Sequence, residues 1–114
     1  MVAKLELPDG VDMSLVYAWE KLYLAVGTLC GQGSQTARLA DAVALYLIHI
    51  RPDDLPVDLR REFIQLMSEL KAVRVHGEEA NIQATINSLD ASVRERAIQK
   101  ILRIFSSVCR HFQS

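Results

Sequence analysis

Ala42-Val43-Ala44-Leu45-Tyr46-Leu47-Ile48-His49-Ile50 is apolar almost all the way round a helix. Its length is about half of what crosses a bilayer, roughly 20 residues. A helix without a wet side persists in water only when neighbours cover most of its circumference. The run therefore predicts an all-α fold built around it, with the second helix the most buried. Arg38 and Asp41 start a polar strip on that helix, and Ala42, Leu45 and His49 occupy its continuation. The strip is expected to meet either another helix of the chain or a second molecule.

The breaks on either side set the limits of the second helix. Gly31-Gln32-Gly33-Ser34 precedes it, and Ser34 or Thr36 can cap it. The glycine pair follows a helix and lacks the Lys and Ser/Thr of a phosphate loop, so it reads as a helix end and linker. Arg51-Pro52-Asp53-Asp54-Leu55-Pro56 follows. Pro52 disfavours helical geometry at Arg51, which places the end of the second helix at about Ile50.

Four more helices follow from periodicity. The first runs from a cap at Asp12 or Ser14 to about Cys30, with Leu15, Trp19, Leu22, Val26 and Leu29 on one face. The third runs from about Pro56 to Val73, with Leu59, Phe63, Leu66 and Leu70 inward and acids near its start favoured by the dipole. A short fourth spans Glu78 or Glu79 to about Leu89 and aligns Ile82, Ile86 and Leu89. The last starts at Asp90 or at a capping box of Ser92 and Glu95 and ends near Phe112. Residues 1–11 read as an extended lead-in, and 12–114 as one compact antiparallel bundle of four main helices plus one short helix.

Composition narrows the functional classes. Half of the 114 residues are hydrophobic, 24% are charged, and the net charge is −1. That balance speaks against a surface given over wholly to nucleic acid or anionic lipid. Neither a signal-peptide core nor a membrane-length stretch is visible, so a cytoplasmic protein without a membrane role is expected. Cys30 and Cys109 lack metal-type spacing and read as small core residues with free thiols.

No constellation names a reaction. His49, His76 and His111 have no H-x-x-x-H or E-x-x-H partner, so neither a metal nor another cofactor is expected. Small helical RNases of the HEPN class carry a His four to six residues after an Arg. Here seven residues separate Arg103 from His111, while Arg110 adjoins it, so that chemistry is not carried over. A non-enzyme is expected.

Two surfaces remain as candidates. Trp19, Ala42, Leu45, Tyr46 and His49 form a candidate protein interface, with Trp and Tyr as typical anchors. They imply a protein that acts by protein–protein contact, as a homodimer or with another protein. On the last helix, Arg96, Lys100, Arg103 and Arg110 fall within about 80° of one another at 100° per residue. The row is about 20 Å long. It could be a solvated face, or match an acidic partner, or bind nucleic acid as an accessory subunit. No aromatic residue interleaves it, which disfavours single-strand stacking.

Three stretches, Trp19-Glu20-Lys21-Leu22, Arg38-Leu39-Ala40-Asp41-Ala42, and Asp54-Leu55-Pro56 through Leu59-Arg60 to Phe63, together resemble short uncharacterised bacterial proteins. The resemblance covers roughly residues 15–70. It implies a bacterial cytosolic helical domain and carries no activity, ligand or site residue.

Overall fold

The computed structural model describes residues 13–72, 74–75 and 79–112. The expected lead-in, the capping role of Asp12 and the surroundings of His76 lie outside these residues. The fold is all-α. Its helices are α1 (Met13–Leu29), α2 (Gln35–Leu45), α3 (Val57–Leu70), α4 (Ile82–Ser88) and α5 (Ala91–Arg110). Two 3₁₀ turns, Leu47–His49 and Pro52–Asp54, join α2 to α3. Arg74–Val75 (β1) and Glu79–Ala80 (β2) make a two-residue antiparallel pairing between α3 and α4.

The link from α1 to α2 is tied by side chains. Gly33 has φ 106°, the left-handed region that glycine reaches without a Cβ penalty. Ser34 Oγ accepts from the Ala37 N–H at 3.1 Å and caps α2. Arg38 reaches back with its fork. Its Nη1 donates to the Leu29 carbonyl at 2.6 Å and its Nε to the Gly33 carbonyl at 3.0 Å. A carbonyl that the end of α1 leaves open is thereby satisfied.

The run at 42–50 is not one helix. α2 ends at Leu45, earlier than expected, and Tyr46 adopts φ −128° and ψ −57°. The chain then tightens. The His49 N–H bonds the Tyr46 carbonyl and the Ile50 N–H bonds the Leu47 carbonyl, both at 3.1 Å. Such i→i+3 bonds satisfy end carbonyls that an interrupted helix would leave open. Pro52 explains the next step. Arg51 is extended, as a residue before proline prefers. The buried Asp54 carboxylate then accepts the Arg51 N–H at 2.9 Å and closes the second turn.

Two other boundaries differ from the sequence reading, and the start of α5 takes the first of its two alternatives. α3 stops at Leu70, because the segment beyond it enters the β1–β2 pairing. α4 starts at Ile82, where Asn81 accepts from the Ala84 N–H at 2.7 Å. Glu79 lies in β2 instead. α5 starts at Ala91 with Asp90 as the preceding cap residue, so Ser92 lies within the helix and forms no capping box. Arg94 fixes this junction, donating to Gln35 Oε1 at 3.0 Å and to the Leu89 carbonyl.

One apolar cluster holds the helices together. It includes Leu22 of α1, Leu39 and Val43 of α2, Phe63 and Leu66 of α3, Ile86 of α4, and Ile101 and Ile104 of α5. Leu47, Ile50 and Leu55 of the connecting turns are buried in the same cluster. Within it α5 runs opposite to both α1 and α3. Tyr23 meets Phe105 and Trp19 meets Phe112 on one side, while Asp58 meets His111 and Glu69 meets Lys100 on the other.

Candidate interaction surface

The basic row of α5 lies against acids. Arg103 bonds Glu62 of α3, with its Nε 3.0 Å from Oε2. Lys100 Nζ lies 3.9 Å from Glu69 Oε1, and His111 Nε2 lies 3.8 Å from Asp58 Oδ1. Arg110 donates to the hydroxyls of Ser106 at 3.2 Å and Ser107 at 2.9 Å. Arg96 is exposed. Two of the four expected cations are therefore engaged across the α3–α5 seam. Glu62 and Glu69 lie off the inward stripe of Leu59, Phe63, Leu66 and Leu70, and the opposed helix directions bring them to the row.

The expected apolar interface is only partly assembled. Ala42 is fully buried, and this corrects its place on an outward strip. α2 packs against α1, α4 and α5, so its dry arc is wide enough to include Ala42. Leu45 is 55% exposed, and His49 is exposed. Tyr46 is half-buried and shares a shallow groove with Tyr23, Leu24, Gly27 and Phe105. Trp19 is half-buried, stacked on Tyr23 at 5.4 Å between centroids and set edge-on to Phe112 at 6.5 Å. Tyr23 thus links Trp19 to the groove that Tyr46 lines. Cys30 is exposed at the end of α1, contrary to its reading as a core residue, and Cys109 is half-buried.

The surface that the periodicity did not single out is the outer side of α1. Met13 is 55% exposed, Tyr17 39% and Leu24 37%. With Gly27 and Glu20, also exposed, they recur at steps of four, three, four and three. That is the spacing of one helix face, and it points away from the buried Ala18, Leu22, Ala25 and Leu29. Glu20 and Lys21 are the only charged residues of α1. Lys21 Nζ sits 5.4 Å from the centre of the Tyr17 ring, a cation–π contact. His49 joins this surface at the start of α1, lining a cleft with Met13 and Tyr17. The available signal was composition. A helix with two charges in 17 residues has too little polar surface for a wholly wet face.

The described residues contain no group of three or more His, Cys, Asp or Glu able to hold a metal ion, and no helix long and apolar enough to cross a membrane. Comparison of the chain with protein-family models, with curated proteins and with solved structures finds no significant match.

Proposed function

We propose that this chain is a non-enzymatic protein that acts by burying a helix face against another protein, with self-association as the first form of that contact. The exposed apolar face of α1 carries the reading. Met13, Tyr17 and Leu24 share one helix side, with Glu20 between Tyr17 and Leu24, whereas scattered surface apolar residues need no explanation. Tyr46 extends it beyond α1 through the groove shared with Leu24 and Gly27, and His49 forms part of its rim. In this reading α1, α2, α3 and α5 work as one antiparallel bundle whose α3–α5 charges stabilise the scaffold, leaving α1 as the working element. The free thiols suit a reducing compartment such as the cytoplasm. The basic row is a weaker candidate because Lys100 and Arg103 already face Glu69 and Glu62.

Light scattering coupled to size-exclusion chromatography tests the proposal from low to high micromolar protein. A mass rising towards that of two copies is the expected result. A strict monomer throughout would remove self-association from the reading.

A further inference from the structure

We propose that the groove between α3 and the connection from α2 binds a medium-chain aliphatic carboxylate, its chain on the apolar walls and its carboxylate at Lys71. The site is separate from the outer face of α1 and does not depend on self-association.

The groove holds about 300 Å³, at the lower end of small-molecule sites. Ile48 and Ile50, from the 3₁₀ turn that ends the apolar run and the residue after it, supply one wall. The other wall is α3. Ile64, Ser68 and Lys71 recur there at steps of four and three, so they share one helix side. Phe63 and Met67 line the same groove and are buried, which makes them its floor. Met67 is unbranched and flexible, so the floor can adjust to a chain. Ile48 is 42% exposed and Ile64 51%. One exposed isoleucine needs no explanation. Two on opposite walls of one groove offer an apolar ligand contact from both sides.

Charge selects the ligand. Ser68 and Lys71 lie at the C-terminal end of α3, with Phe63 and Ile64 earlier in the helix. Lys71 is the only charged residue among the described residues that line the groove. It is half-buried and has no ion-pair partner among the described residues. Arg61 and Arg96 also lack one, but both are exposed to water. A partly desolvated ammonium without a counter-charge favours an anion beside it. One positive charge matches a monoanion, and the Ser68 hydroxyl can donate to the same carboxylate. The helix rises about 10 Å from Ile64 to Lys71. An extended chain advances about 1.2 Å per bond, so about eight carbons span that distance.

Titration of the isotope-labelled full chain with octanoate, followed by amide chemical shifts, tests the site. Shifts concentrated at residues 48–51 and 63–71 are expected. Octan-1-ol keeps the chain and lacks the charge, and is expected to bind about five-fold more weakly. Hexanoate, shorter by two methylenes, is expected to bind about ten-fold more weakly. Lys71→Met should make octanoate and octan-1-ol equivalent. Ser68→Glu places a carboxylate one turn from Lys71 and should abolish octanoate binding, with circular dichroism reporting that the helices remain. The proposal is overturned if octanoate moves no amide of the groove, if octan-1-ol binds the parent chain as well as octanoate does, or if Lys71→Met keeps the preference. Groove amides that shift with protein concentration alone would place a second copy there and overturn it too. The ligand comparison on the parent chain decides the matter even if a variant does not fold.

Discussion

Asp54 is buried where the chain turns out of its most apolar run, and its carboxylate accepts the Arg51 N–H at 2.9 Å. Asp54→Ala would leave that N–H without its partner in a part-buried site. The expected cost is about 1–2 kcal/mol, read from the urea midpoint, with Asp54→Asn recovering most of it. From sequence, Asp53 and Asp54 are acids placed to favour the start of the third helix. The structure uses Asp54 one turn earlier, because Pro52 forces Arg51 extended and brings its N–H within reach. Arg38 and Arg94 show the same limit. Arg38 starts a polar strip in the periodic reading and Arg94 has no place in it, yet each fork bonds the backbone end of a neighbouring helix. Periodicity locates a side chain on its own helix and says nothing of a carbonyl that another element leaves open.

Helices α3 and α5 meet along a seam of opposite charges, which a double-mutant cycle can measure. Glu62→Ala, Arg103→Ala and the pair should give a coupling of about 0.2–1 kcal/mol in thermal unfolding, because both side chains contact water. The coupling should shrink as salt is raised toward 1 M, where screening acts over about 3 Å. A coupling that ignores salt would contradict a surface ion pair. Each helix was legible alone. The acids of one and the cations of the other became partners only once their directions were opposed. The end of α2 was less legible, since Val43, Leu47 and Ile50 share one face in a continuous helix and are also buried after the break. Both readings bury the same residues, so the apolar pattern could not choose between them.

Across the whole molecule, stability and association separate onto different residues. Ile101 is fully buried at the centre of the cluster, and Ile101→Ala should cost about 2–5 kcal/mol by urea unfolding. Leu24 lies on the outer face of α1, where Leu24→Ser should change monomer stability by less than about 0.5 kcal/mol. The same substitution should still lower the self-association constant. A large stability loss at Leu24 would mean that its exposure is misplaced. The apolar segment at 42–50 illustrates how the two levels divide. Sequence alone determined that the chain is helical, where glycine and proline interrupt it, and which stripes make the core. Those properties follow from local periodicity, backbone restriction and the burial of apolar side chains. Only the tertiary structure decided that Ala42 is inside while Leu45 stays outside, that α2 stops at Leu45, and that α1 keeps an apolar side in water. The reason is coverage: whether an arc of a helix is wet depends on how many neighbours surround it, and that is settled only when all the helices are in place.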